Sequence, residues 1–188
     1  SRGDASAAKQ LFGEFLNYPA TRGKSATEIA RAAFMAEEWS KGMSVAPEAD
    51  QKDADILFWM GYCSEMGYGC EKDGGAAIRY YRGSAGVGNE TAKFNLAVKL
   101  ETGSDCEKNV SEAISLFEEL ASIGAVDAQK HLADIYRVGE IVEKDLSKSF
   151  KWYQAAGSTG DAYSCRMVGW FYENGHGVGK DAAKAKDW

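Results

Sequence analysis

Few side chains in this sequence combine the types and spacings that catalysis requires. The two histidines, His131 and His176, show no metal-ligand spacing to each other or to a pair of cysteines. The run from Gly175 to Lys180 is similar to a phosphate-binding loop, but Asn174 stands where the G-x-x-x-x-G-K pattern needs its first glycine. No nucleophile lies at a credible spacing from a general base. The sequence therefore predicts a chain that is not an enzyme and that holds no metal and no cofactor.

The residues around His131 belong to a pattern that recurs every 36 residues. Its anchors in the clearest unit are Ala128, Leu132, Ala133, Tyr136, Gly139, Val142, Asp145, Trp152, Tyr153, Ala156 and Gly160. Steps of 36 residues toward either end lead to related positions from Ile56 to Trp188, without an insertion. The pattern predicts repeats at residues 53–88, 89–124 and 125–160, and a truncated repeat at 161–188. Because Trp188 aligns with Trp152 inside a helix, we expect a longer parent array or a further segment that covers the last repeat.

Each repeat predicts two helices joined by a turn. The first, helix A, ends at a glycine that can adopt positive φ, at Gly67, Gly103, Gly139 and Gly175. The second, helix B, begins after a residue whose side chain can cap it, at Asp73, Asn109, Asp145 and Asp181. Amphipathic helix pairs bury their faces only by stacking on their neighbours. The predicted fold class is all-α, an α/α solenoid (superhelix) of 36-residue helix–turn–helix repeats.

These repeats resemble the Sel-1-like repeat family, which is related to the tetratricopeptide repeats. The shared features are a small-plus-large pair, an aromatic residue, Gly-x-Gly-Val, Asp, Lys-Ala, an aromatic pair, Ala-Ala and a closing Gly. They are fullest at Ala128–Gly160 and Val168–Trp188, and the resemblance covers residues 54–188. Residues 103–105 and 139–141 depart from Gly-x-Gly, so we expect looser turns there. The family includes adaptor subunits in membrane-protein degradation, regulators of cell-wall synthesis and secreted bacterial proteins, which implies a protein-interaction scaffold or adaptor.

The resemblance also implies a binding surface, because helix A lines the inner, concave face of tetratricopeptide-like stacks. The candidate partner contacts on that face are Phe58, Tyr62, Phe94, Val98, Lys130, Arg137, Tyr163, Arg166 and Trp170. The earlier half is apolar and the later half cationic and aromatic, and Tyr, Trp and Arg dominate interface hot spots. A protein or peptide with an apolar anchor and an acidic end would suit such a groove. The alternative for Phe58 and Phe94 is that they pack between repeats.

Residues 1–52 do not keep the 36-residue spacing and are predicted to form an irregular N-terminal helical cap or a degenerate repeat. A first helix is predicted from the apolar stripe Leu11, Phe12, Phe15 and Leu16. A second is predicted from Thr27 to Lys41, with Gly42 as its stop. Residues 43–49 are then a loop, and Pro47 or Asp50 opens the long helix that ends at Gly67.

Charge and composition restrict the partners. The net charge of −6 and the pI near 5.1 disfavour binding to a phosphate backbone, so nucleic acid is not an expected partner. No apolar run approaches the roughly 18 residues that span a bilayer, so direct membrane insertion is not expected either. We expect a soluble protein whose localisation stays open between a reducing intracellular compartment and a secreted or periplasmic one.

The cysteines and two acceptor patterns bear on that question of compartment. Cys70 and Cys106 occupy equivalent positions, and adjacent helices hold such positions about 10 Å apart, too far for a disulfide bond. Cys63 and Cys70 could meet only if the turn at Gly67 folded back, so buried thiols are the favoured interpretation. Glycosylation acceptor patterns begin at Asn89 and Asn109, and they matter only in a secreted protein.

Two other functions stay open at this point. One is a structural assembly subunit or spacer within a larger complex, with no ligand in its groove. The other is a secreted hydrolase-like repeat protein, an activity that the family resemblance implies by analogy with some secreted relatives. The favoured hypothesis is a non-catalytic scaffold or adaptor that binds a partner protein or peptide.

Overall fold

The computed structural model describes residues 24–188, which fold into α-helices and turns without a β-strand in that range. The chain divides into two compact units between Glu107 and Lys108, within the second predicted repeat. The apolar stripe from Leu11 to Leu16, predicted to be the first helix, lies outside the described residues. The predicted boundary between residues 52 and 53 stays a prediction.

From residue 24 onward, the first unit contains two short N-terminal helices and then three long ones. They are α1 (Ala26–Met35), α2 (Trp39–Val45), a 3-10 turn (Ala46–Glu48), α3 (Ala54–Met66), α4 (Gly74–Gly86) and α5 (Glu90–Thr102). Helices α3 and α5 are A helices, and the B helix α4 packs against both. Helix α1 packs against α2 and α3. The N-terminal helices therefore share one compact unit with the first repeat.

The prediction of a single helix from Thr27 to Lys41 is wrong. The chain turns after Met35, and Glu37 adopts a left-handed backbone with φ of 58°. Gly42 is not a stop, because it lies within α2 and its α-carbon faces the Phe34 ring so closely that a side chain would clash. The break lets α2 fold back onto α1 and bring Trp39 to within 5.7 Å of Trp59, between ring centroids.

The predicted loop over residues 43–49 and the helix opening at Pro47 or Asp50 are also wrong. Helix α2 continues to Val45 and runs into the 3-10 turn. Helix α3 begins at Ala54, because the Asp53 carboxylate accepts hydrogen bonds from the backbone N–H groups of Asp55 and Ile56.

The second unit contains five helices in the order B, A, B, A, B. They are α6 (Val110–Ser122), α7 (Val126–Val138), α8 (Leu146–Gly157), α9 (Ala162–Asn174) and α10 (Ala182–Asp187). Each helix packs against the next one along the chain. Its best-defined core joins α7, α8 and α9 through Ala133, Phe150, Tyr153, Val168 and Phe171. The core of the first unit joins α1, α2 and α3 through Ile29, Phe34, Val45, Ile56 and Met60.

The predicted helix ends are confirmed. All four A helices end at a glycine with positive φ, namely Gly67 (78°), Gly103 (76°), Gly139 (76°) and Gly175 (71°). The B helices are capped by side chains that accept backbone N–H groups, those of Asp73, Asn109, Asp145 and Asp181. Asp105, which replaces the second glycine of Gly-x-Gly, takes the left-handed backbone itself with φ of 65°.

Candidate protein-interaction surfaces

The residues expected to contact a partner all lie on A helices, and those on α9 are more exposed than those on the other A helices. Phe58 and Tyr62 on α3 are half-buried, as are Phe94 and Val98 on α5. Lys130 and Arg137 on α7 are half-buried too. The side chains on α9 are exposed, namely those of Tyr163, Arg166 and Trp170.

In the first unit, Phe58 and Tyr62 belong to a larger aromatic cluster. Their rings stack at 6.4 Å between centroids, and Trp59 contacts both, at 5.1 Å and 5.9 Å. Phe58 also contacts the buried ring of Tyr81, so its inner edge is part of the packing between α3 and α4. Trp59 was not among the predicted contacts, because it lies outside the helical stripe formed by Asp55, Phe58 and Tyr62. The aromatic density of residues 58–68 is the signal that would have found it.

The outer side of this cluster opens into a hollow of about 480 Å³, which we call the first-unit hollow. It lies between α1, α3 and the beginning of α5. Its lining includes Arg31, Met35, Asp55, Phe58, Trp59 and Asn89. Phe58 therefore both packs against α4 and lines an open hollow.

The two cations on α7 are held by carboxylates of their own unit. The Lys130 ammonium group lies 3.1 Å from Asp127 and 3.3 Å from Asp161, and hydrogen bonds to these two carboxylates raise the pKa of Lys130. Arg137 lies 2.6 Å from Asp134. The hydrogen bond to Asp134 also raises the pKa of Arg137. Both positive charges are therefore already balanced before any partner arrives.

Helix α9 presents an unbroken stripe on one face, which we call the α9 stripe: Tyr163, Arg166 and Trp170. The three residues have the i, i+3, i+7 spacing of one helical face, and Tyr163 and Trp170 are 37% and 40% exposed. The Arg166 guanidinium lies 5.4 Å from the Tyr163 ring centroid, and no carboxylate within residues 24–188 forms an ion pair with it. The Trp170 ring packs against His176 at 4.8 Å.

A second hollow, of about 440 Å³, adjoins the α9 stripe between α9 and α10, and we call it the second-unit hollow. Its lining includes Arg166, Gly169, Trp170, Glu173, Lys186 and Trp188. Two cations and one carboxylate thus surround two indole rings. At the end of α9, the Asn174 side-chain amide donates a hydrogen bond to the Trp170 carbonyl at 2.8 Å, which fixes the last turn of the helix.

The nucleophilic and metal-ligating residues are dispersed. All four cysteines are free thiols, and Cys63 is fully buried, which raises its pKa to about 12. The His131 ring packs 4.5 Å from Phe117. Across residues 24–188, no group of three or more His, Cys, Asp or Glu side chains is placed to hold a metal ion. None of the helices in the same range is long and apolar enough to cross a membrane.

The geometry defines a class of protein: A helices of 13 residues, each ended by a left-handed glycine, alternate with B helices in α/α repeats. The family model of the Sel1 repeat matches residues 54–85, 91–124, 126–161 and 162–188, and the chain belongs to this family. Proteins of the family are generally interaction scaffolds and typically non-catalytic modules. A comparison with curated proteins found no match.

Two solved structures have the same fold. A Sel1 repeat protein from Oxalobacter formigenes superposes with a TM-score of 0.77 at 26% sequence identity, over 86% of this chain and 67% of that one. The protective antigen c5321 of uropathogenic Escherichia coli strains, which displays an SLR fold, superposes with a TM-score of 0.76 at 23% identity. That match covers 98% of this chain and 39% of the antigen. The fold class is therefore the α/α solenoid of Sel1-like repeats.

Proposed function

We propose that this chain is a non-catalytic interaction scaffold that binds a partner protein or peptide through exposed side chains of its A helices. The observation that carries the proposal is the α9 stripe. Tyr163, Arg166 and Trp170 leave large aromatic and guanidinium surfaces in contact with solvent, beside a hollow of about 440 Å³. Large aromatic side chains that are exposed together with a guanidinium group are typical of interaction surfaces.

The charges of this surface favour an acidic partner. Arg166 has no carboxylate partner among residues 24–188, and Lys186 adds a second positive charge against the single Glu173. An aspartate or glutamate of the partner would gain a charge-assisted hydrogen bond from Arg166. An apolar side chain of the partner, next to that acidic residue, would cover the Trp170 indole ring and shield it from water. An apolar anchor followed by an acidic residue meets both requirements.

The remaining candidate residues have supporting roles in this proposal. Phe58 and Tyr62, with Phe94 and Val98 on the next A helix, supply apolar area in the first unit. Lys130 and Arg137 form a locally neutral rim, because their carboxylate partners already hold them. Such rim charges contribute little binding energy but influence the rate of association.

The test is capture of interacting proteins by the chain and by a double variant, Arg166→Glu with Trp170→Ala. A matched control combines Lys151→Glu with Ile123→Ala, which makes the same change of charge and truncates an apolar side chain that is 63% exposed on the second unit. All three proteins must show equal helicity by circular dichroism. We expect a partner that the wild type and the control retain and that the Arg166 and Trp170 variant loses.

The opposite result supports the competing function. If both variants retain the same partners, the A-helix surface of α9 is not the binding site, and a structural subunit or spacer becomes the better description. In that case, substitutions at exposed positions of the B helices would be the ones that disrupt assembly.

A further inference from the structure

The first-unit hollow has the features of a preformed pocket for an apolar side chain of a partner. Its apolar lining consists of Phe58, Trp59 and Met35. The Trp59 ring is held by Phe34 at 6.4 Å, Trp39 at 5.7 Å and Phe58 at 5.1 Å, so it has little freedom to lose when a ligand binds. A rigid aromatic wall lowers the entropic cost of association.

Met35 supplies the adaptable part of the lining. It is 76% exposed, the most exposed of the large apolar side chains in the described part of the chain. A methionine side chain is flexible and polarizable, so it can fit around apolar groups of different shape. An indole ring held by its neighbours, together with a flexible thioether in the same lining, suits one large apolar side chain whose exact identity varies.

The charged side chains that line this hollow are Arg31 and Asp55, whereas two cations and one carboxylate line the second-unit hollow. The Arg31 guanidinium lies 2.8 Å from Asp53 and 3.9 Å from Asp55, so one cation faces two carboxylates. Asp53 is only 7% exposed and caps α3, whereas the Asp55 side chain is 63% exposed. The Asp55 carboxylate also accepts a hydrogen bond of 3.3 Å from the Asn89 amide. Asp55 therefore keeps acceptor capacity and an excess negative charge that faces solvent.

We propose that the first-unit hollow binds a peptide segment in which a large apolar side chain is flanked by a lysine or arginine. The apolar side chain enters between Met35 and Trp59, and the flanking cation pairs with Asp55 at the rim. The faces of Phe58 and Trp59 add a cation–π contribution when that cation lies over them. The inference rests on the proposed function only in taking the protein as a binder of protein segments.

The experiment measures fluorescence anisotropy of three short labelled peptides mixed with the full 188-residue chain. The peptides share a central leucine, which is flanked by lysine, by glutamate or by glutamine. We expect the lysine peptide to bind about tenfold more tightly than the glutamate peptide, since a like charge at the rim opposes binding.

The variants locate the effect. Asp55→Lys should weaken binding of the lysine peptide about tenfold and strengthen binding of the glutamate peptide. Met35→Ser should weaken binding of all three peptides severalfold, and its high exposure leaves the fold intact. The matched control is Asp127→Lys, because Asp127 occupies the position of Asp55 two repeats later and the charge changes equally. This control should leave binding of the lysine peptide unchanged.

Three results would overturn the inference: equal affinity for the three peptides, no binding at about 1 mM, or an Asp127→Lys effect as large as that of Asp55→Lys. None of them depends on the α9 stripe, whose variants test the proposed function separately. A partner lost on substitution of Arg166 and Trp170, together with no peptide binding, would leave the proposed function standing without this second site.

Discussion

Two buried tyrosines show how the two units use one repeat position differently. Tyr81 on α4 and Tyr153 on α8 occupy the same position two repeats apart, and both are fully buried. Each hydroxyl donates a hydrogen bond of 2.7 Å to a carboxylate, Glu65 in the first unit and Asp134 in the second. In the repeat pattern, however, Glu65 corresponds to Arg137 and not to Asp134. These two repeats thus share the tyrosine but not the position that supplies its acceptor.

The two networks differ in how far along the chain the cation lies from the carboxylates that it contacts. Lys99 on α5 lies 2.9 Å from Glu65 and 3.0 Å from Asp105, with its side chain only 8% exposed. Burial alone would lower the pKa of Lys99, but its hydrogen bonds to the two carboxylates outweigh this and raise the pKa. Arg137 instead pairs with Asp134 one turn earlier on its own helix. The first network links two repeats, whereas the second joins a single helix pair.

The contrast shows that the same apolar packing between repeat helices is compatible with different networks of polar side chains. A buried cation shared by two repeats makes stability depend on a single side chain. A local pair on the surface of one helix does not.

Removal of the shared cation should have the largest effect. Lys99→Met leaves Glu65 and Asp105 without their counter-ion, and we expect the free energy of unfolding to fall by about 2 to 4 kcal/mol. Arg137→Met breaks a half-exposed pair and should cost about 1 kcal/mol or less. Urea unfolding measures both, and hydrogen exchange of amides should place the Lys99 effect within the first unit. Equal losses in the two variants would remove the proposed difference between the networks.

A methyl group at Gly61 should have the next largest effect. The Tyr81 ring lies over Gly61, and a Cβ atom there would come within 2.8 Å of it. Ala133 carries that methyl group at the same position next to Tyr153, whose hydroxyl reaches a different residue. Gly61→Ala should destabilise the first unit by about 1 to 3 kcal/mol through overpacking. Ala133→Gly should cost about 1 kcal/mol from helix propensity alone, and a stabilising Gly61→Ala would contradict the argument.

Loss of a tyrosine hydroxyl should be milder. Phe117 fills the same position in the second repeat and is fully buried, so phenylalanine fits there. Tyr81→Phe and Tyr153→Phe should each lower the free energy of unfolding by about 1 kcal/mol, the net value of one hydrogen bond. A double-mutant cycle should show coupling of Tyr81→Phe to Lys99→Met of about 0.5 kcal/mol or more, because both act on Glu65. Strictly additive changes in the free energy of unfolding would show that the two contacts with Glu65 are independent.

The smallest effect is a change in acid sensitivity. The hydrogen bond from Lys99 is the main reason that the pKa of Asp105 is lowered. A carboxyl group with a lowered pKa stabilises the fold above its unfolded pKa of about 3.9, and this contribution is lost as pH falls through the folded pKa. Asp105→Asn should therefore flatten the dependence of unfolding free energy on pH between about 5 and 3. In a Lys99→Met background the same substitution should change that slope little.

Most of the repeat architecture could be predicted because its signals are local. The glycine at the end of each A helix and the capping residue of each B helix act within a few residues, and both were confirmed. The break after Met35 could not be predicted, because Glu37 takes a positive φ without being glycine. What favours the break is tertiary, namely the packing of Trp39 against Trp59 and Tyr68.

The sequence predicted which helices carry the candidate contact residues, but it did not predict how exposed or how charge-balanced each side chain is. The i, i+3 partners of Lys130 and Arg137 are visible in the sequence, yet the pairing of Lys130 with Asp161, 31 residues away, is not. The first-unit hollow depends on how α1 folds against α3, so the parts played by Met35 and Arg31 became visible only in three dimensions. Sequence patterns report which residues share a face, whereas charge balance depends on contacts between helices.

The hydrogen bonds at the end of α9 also affect the rate at which Asn174 deamidates. Asn174 and Gly175 form an Asn-Gly pair, the sequence at which asparagine most readily loses its side-chain amide through a cyclic imide. That ring closes only when the glycine nitrogen attacks the asparagine side-chain carbon. Here the Gly175 N–H donates to the Phe171 carbonyl at 2.9 Å, and the Asn174 amide is held by the Trp170 carbonyl. The folded helix end therefore delays deamidation beside the α9 stripe, and a sample that unfolds there would acquire a new negative charge next to Trp170.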